Sequence, residues 1–147
     1  MLGFVLATAG GCGDHTNEKT AAPVAAGAET PVSDKNCYSY FSATDTITLI
    51  LKGPDTALHG SLVYMLNGKD RNIGTLVGKM SGDTLLADYT YQSEGQSSMR
   101  EVAFLRKESQ MLQGFGPVQV KDNHQYFSDR GKLQFSSNMA LTNQHCH

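Results

Sequence analysis

The chain has no tryptophan, only four prolines and three cysteines, and charged residues fill 18 % of its 147 positions. With 39 % hydrophobic residues beside so little charge, it is not a disordered polyelectrolyte. No apolar run approaches the roughly 18 residues of a membrane-crossing helix, which argues against a multi-span helical membrane protein. An excess of basic charge is missing as well. The net charge of −2 leaves no electrostatic reason to expect nucleic acid as a partner. What remains is enough chain for one ordinary domain with a core of its own.

The N-terminal residues give an address. Leu2 to Ala9 is apolar, Ala9-Gly10-Gly11 are small, and Cys12 follows. Translocation needs an apolar segment, and the peptidase needs small side chains where it closes around the backbone. A cysteine in that place resembles the lipobox of bacterial lipoproteins, which implies acylation of Cys12 as the mature N-terminus. Two positions depart from that pattern: Ala9 stands where leucine is usual, and no Lys or Arg precedes Cys12. The expectation is therefore a precursor whose true start lies elsewhere, with 1–11 as residual signal peptide. The competing reading is a buried apolar strand or helix that contains a cysteine. Residues 12–36 are rich in Gly, Ala, Thr, Glu and Pro and hold almost no large apolar side chain. Such a segment cannot offset its ordering entropy and reads as a tether, spanning roughly 25–30 Å as a coil. Gly13 does not resemble the aspartate that retains some lipoproteins in the inner membrane, so outer membrane is preferred, on either face.

If Cys12 carries lipid, Cys37 and Cys146 remain, one at each end of the region 37–147. In an oxidising compartment they can form a disulfide. The alternatives are two free thiols, or a metal held through His145-Cys146-His147, which adjacent residues rarely achieve without further ligands.

From Cys37 onward the hydrophobic period is two. Ile47, Leu49 and Leu51 alternate with polar neighbours; Leu58, Gly60, Leu62, Tyr64 and Leu66 share a face, and Asn67-Gly68 signals a turn. Ile73–Met80, Leu85–Tyr91, Val102–Leu105 and Met111–Val118 read as further strands, and Lys132–Ser136 as the last, extending toward Leu141. Asp122–Arg130 reads as a loop or one short helical turn. Strands this close together imply an antiparallel meander, and glycines inside them fit a curled sheet. The expected fold is all-β, a small up-and-down, lipocalin-like barrel of seven or eight strands, with a two-sheet sandwich as the alternative.

Several of these segments together suggest a family. Cys37-Tyr38-Ser39-Tyr40, Asp45-Thr46-Ile47, Gly60-Ser61-Leu62-Val63-Tyr64, Gly82-Asp83-Thr84-Leu85, Ser93-Glu94-Gly95 and Arg100-Glu101-Val102-Ala103-Phe104 resemble small uncharacterised lipoproteins of Gram-negative bacteria. The resemblance covers roughly residues 37–118 and implies an envelope address and a barrel, but no chemistry. The copper-responsive lipoprotein barrels are also faintly similar. They carry Cys-x-x-Cys in the first strand, whereas Cys37 is followed by Tyr-Ser-Tyr, so no metal or thiol chemistry carries over.

Catalytic patterns are sparse. There is no Gly-x-Ser-x-Gly, no glycine loop opening a helix, and the histidines are scattered. No catalytic residue, cofactor or metal is expected. The densest polar cluster is Glu94, Arg100 and Glu101. With Val102 and Phe104 inward, Arg100 would enter the barrel mouth near Glu94 and could grip an amphipathic ligand. The plainer reading is an exposed Glu–Arg pair of under about 1 kcal/mol. Tyr64 and Tyr89, with Tyr38, Tyr40 and Tyr91, could line a pocket or simply pack in the core. The resulting expectation is a non-enzymatic, lipid-anchored envelope protein binding a small hydrophobic or amphipathic molecule. An envelope interaction protein, an inhibitor or accessory subunit docking a protein partner, is the alternative.

Overall fold

The computed structural model describes residues 35–147, so the signal-peptide, Cys12 lipidation and tether expectations lie outside the described residues except at Lys35 and Asn36, which open the first strand. Seven strands follow one another as a meander: β1 (Lys35–Phe41), β2 (Thr46–Lys52), β3 (Leu58–Met65), β4 (Asn72–Ser81), β5 (Thr84–Ser93), β6 (Gln96–Lys107) and β7 (Gln110–Phe115). Each pairs antiparallel with the next. Three short strands, β8 (Val118–Lys121), β9 (His124–Phe127) and β10 (Gln134–Phe135), precede the last, β11 (Leu141–Gln144). β11 lies between β7 and β1, antiparallel to both, and closes a barrel of eight strands.

Eight strands enclose a space just wide enough for side chains to fill. Here they do fill it. Ile47, Leu49, Leu62, Leu76, Leu85, Tyr89, Phe104, Met111 and Leu141 are all fully buried. The alternation in β2 places Ile47, Leu49 and Leu51 inward, as their spacing indicates. Gly60 and Gly74 mark close approaches between strands. A Cβ on Gly60 would meet the Ile50 carbonyl oxygen at 1.7 Å, and one on Gly74 would meet that of Thr90 at 2.0 Å. Only glycine permits such curvature there.

The loop between β2 and β3 is bound to both β4 and β6. The Arg106 guanidinium donates to both carboxylate oxygens of Asp55 at 3.1 and 2.8 Å, and the Met80 amide donates to the Asp55 carbonyl at 2.8 Å. The hydrogen bond from Arg106 holds the Asp55 carboxyl below its usual range, although both partners are exposed and the pair contributes little.

Three expectations need correction. Lys35–Phe41 is a strand without visible alternation, because three consecutive residues, Cys37 to Ser39, are buried. Tyr38 belongs to the interior cluster, while β11 covers the chain on one side. Asp122–Arg130 is neither loop nor helix alone. Asp122 and Asn123, at φ 50° and 62°, form a tight turn of the type in which both central residues have positive φ. That turn joins β8 to β9, and β9 runs parallel to β6, pairing Met99 with His124 and Arg100 with Gln125. Only the short 3-10 turn at Arg130–Lys132 fits the helical expectation. The expected strand Met111–Val118 breaks at Gly116-Pro117, where a proline cannot donate to the ladder.

Cys37 and Cys146 form a disulfide, with Cα atoms 5.4 Å apart and a sequence separation of 109. The free-thiol and metal readings of these two cysteines fall away. Closing a loop of that length is worth up to about 4–5 kcal/mol in the chain-entropy model. Replacing both cysteines by alanine should lower the unfolding free energy by about 2–5 kcal/mol in urea titrations followed by circular dichroism, with the far-ultraviolet spectrum unchanged.

Candidate functional site

Arg100 lies inward on β6 directly opposite Tyr89 of β5, the register that brings Val102 opposite Ala87 and Phe104 opposite Leu85. Its guanidinium carbon sits 5.3 Å from the ring centre of Tyr64, 5.6 Å from that of Tyr89 and 5.3 Å from that of Tyr91. Three aromatic faces therefore surround one cation, each within range of an attractive cation–π contact. The rings also support each other: Tyr89 and Tyr91 stack with centroids 4.9 Å apart, and Tyr64 meets Tyr89 edge-on at 6.1 Å.

Hydrogen bonding around this cluster is incomplete. The Tyr89 hydroxyl donates to the Leu62 carbonyl at 2.9 Å. The Tyr64 hydroxyl and Arg100 Nε are buried without a hydrogen-bond partner. Among the described residues no carboxylate forms an ion pair with Arg100. Burial pushes the Tyr64 phenol up to about 12, with the Arg100 charge and the Gln113 amide acting the other way. Neither neighbour reaches hydrogen-bond geometry with the hydroxyl. Burial raises Tyr89 further, reinforced by Tyr64 and opposed by Arg100.

The fork in the barrel wall explains how Arg100 is reached. β7 pairs with β6 only as far as Gly114 opposite Ala103, while β9 takes the edge of β6 at Met99 and Arg100. Between these two partners lies a slot of about 230 Å³, lined by Arg100, Val102, Gln113, Phe115, Val118 and Phe127 among others. Glu101, whose side chain is 7 % exposed, holds the slot's outer wall in place. It accepts from the Phe127 amide at 3.0 Å and from the Arg130 guanidinium, which balances its charge.

The structure thus brings Arg100, Tyr64 and Tyr89 together and separates the two glutamates from them. Glu94 occupies the β5–β6 turn at φ 48° and borders a different, wide-open depression of about 570 Å³ with Lys69, Asp70 and Tyr91. Glu101 faces outward and pairs with Arg130, not Arg100. Neither an Arg100–Glu101 nor an Arg100–Glu94 ion pair forms among the described residues. Gln113 was not singled out from the sequence. Its signal was a polar residue between Met111 and Phe115 on one strand face. Phe127 carries no such signal, because the four residues of β9 show no period-two alternation. Comparison of the chain with protein-family models, curated proteins and solved structures found no match.

Two outcomes follow from these contacts. Because the folded Tyr64 phenol is raised from 10.0 to about 12, its contribution is full below pH 10 and is lost as pH rises from 10 to 12. In that window Tyr64→Phe should lose less stability than the parent, by about 3 kcal/mol at the upper end, in unfolding titrations at stepped pH. Glu101→Ala removes the acceptor of the Phe127 amide and should cost about 1–3 kcal/mol locally, seen as faster hydrogen exchange at Phe127 with β2–β5 amides unaffected.

Proposed function

We propose that this chain is a non-enzymatic, lipid-anchored protein of a bacterial cell envelope, at the outer membrane by preference, which binds a small amphipathic molecule. The observation that carries the reading is Arg100, a cation without an anionic partner among the described residues, enclosed by three tyrosine rings and open to a side slot. A desolvated guanidinium left unmatched costs free energy, and aromatic faces compensate only part of it. A ligand combining an acceptor group with an apolar portion completes the site. The interior is filled, so the ligand belongs at the slot and not in the centre of the barrel.

The non-enzymatic part of the proposal is carried by the sequence pattern, with scattered histidines and no Gly-x-Ser-x-Gly. The envelope address rests on the Gly10-Gly11-Cys12 pattern, and the Cys37–Cys146 disulfide suits an oxidising compartment.

A filled barrel also favours a second reading, docking of an envelope protein. Phe41, Val77 and Val120 are each about two-thirds exposed, at 65 %, 66 % and 70 %. Apolar side chains held at the surface in this way suit a protein partner when they are contiguous.

Native mass spectrometry of the full chain, oxidised and incubated with an envelope extract, separates the two. The expected result is a reproducible adduct of small-molecule mass that Arg100→Gln abolishes. A bare mass together with a co-purifying protein selects the docking reading instead.

A further inference from the structure

We infer that the side slot between β6, β7 and the β8–β9 hairpin is a carboxylate site, built for a short-chain monocarboxylate or the carboxylate end of a longer apolar chain. The inference rests on the small-molecule reading above and names its ligand class.

The donor set decides the head group. Arg100 and Gln113 line the slot together, one a cationic fork and the other a neutral amide. A planar guanidinium matches a carboxylate with two parallel hydrogen bonds, and an amide N–H can complete the shell. With one cation and no second positive side chain lining the slot, a monoanion is neutralised and a dianionic phosphate is not. The nearest further charge, Glu101, is already held by Arg130 and the Phe127 amide. Glu101 also lines the slot, but its charge is matched by Arg130, which leaves Arg100 as the unmatched charge there. The tyrosine cage keeps the cation in place when the site is empty, so the guanidinium does not have to be reoriented for binding.

The walls decide the rest of the molecule. Val102, Phe115, Val118 and Phe127 make most of the remaining lining apolar, beside Gln125, the paired Glu101 and two glycines, Gly114 and Gly116. A volume of about 230 Å³ lies below the range of drug-sized pockets and holds roughly seven or eight water-sized groups. A carboxylate with a chain of about six carbons or fewer fits inside. A longer chain leaves past Val118, which is 48 % exposed at the rim.

The test uses the full oxidised chain and [1-13C]octanoate followed by 13C NMR, with 1-octanol, octyltrimethylammonium and octyl phosphate as matched probes. Saturable octanoate binding, at least tenfold tighter than that of octanol or octyltrimethylammonium, supports the inference. Arg100→Gln should weaken octanoate by at least tenfold and Gln113→Leu severalfold. Val118→Glu, at the 48 % exposed rim, should weaken octanoate severalfold and by more than it weakens octanol, because repulsion adds to the loss of apolar contact. Octanol binding as well as octanoate overturns the carboxylate assignment while the small-molecule reading stands. Octyl phosphate binding more tightly than octanoate overturns it in the same way. An extract adduct that persists in Val118→Glu and Gln113→Leu overturns the slot alone. Absence of every probe and of every extract adduct overturns both readings.

Discussion

Closure of the sheet is the constraint on which the rest of this molecule depends. β11 is four residues long, yet it satisfies the edges of both β7 and β1 and converts a twisted meander into a barrel. Without it two strand edges would stand unpaired, and the interior would lose Leu141 from the wall facing Met111. The disulfide joins the same two elements covalently, at the β1 end through Cys37 and just beyond β11 through Cys146. Hydrogen bonding, apolar packing and a covalent bond thus converge on one seam, where the two ends of the described region meet.

The filled interior and the open fork follow from one another. A closed eight-stranded ring packed with Leu, Ile, Phe and Tyr has no room for a ligand at its centre. β6, at twelve residues the longest strand, outreaches β7 and needs a second partner for its first half. The β8–β9 hairpin supplies that partner from outside, and the parting of the two neighbours gives Arg100 its access. The slot beside Arg100 therefore arises from a mismatch in strand length and not from a hollow barrel.

Period-two patterns in β2, β3 and β5 were legible because each has one face in the core and the other toward solvent, and the turns at Gly68, Gly82 and Gly95 carry the positive φ that glycine favours. The strand β1 was not legible, since a strand covered on both faces shows no alternation. Nor was β9, whose four residues are all half-buried and whose parallel pairing with β6 is non-local. Of the candidate site, the inward placement of Arg100 could be read from its parity with Val102 and Phe104, and that put it near the tyrosines. The separation of Glu94 and Glu101 from it could not be read so easily. Glu101 follows the opposite parity, but its partner Arg130 lies 29 residues away in a segment with no strand signal.

The seam has a mechanical consequence. If the molecule is held by its N-terminal side, a pull on the anchor enters the domain at Lys35, at the start of β1. An unbridged barrel would resist by unzipping that strand one hydrogen bond at a time, from the end inward. Here the load passes at Cys37 into a covalent bond and is shared at once with the last strand, so only two residues of β1 lie outside the bridge. A domain stitched in this way would take such a load like a button whose thread passes through both sides of the cloth.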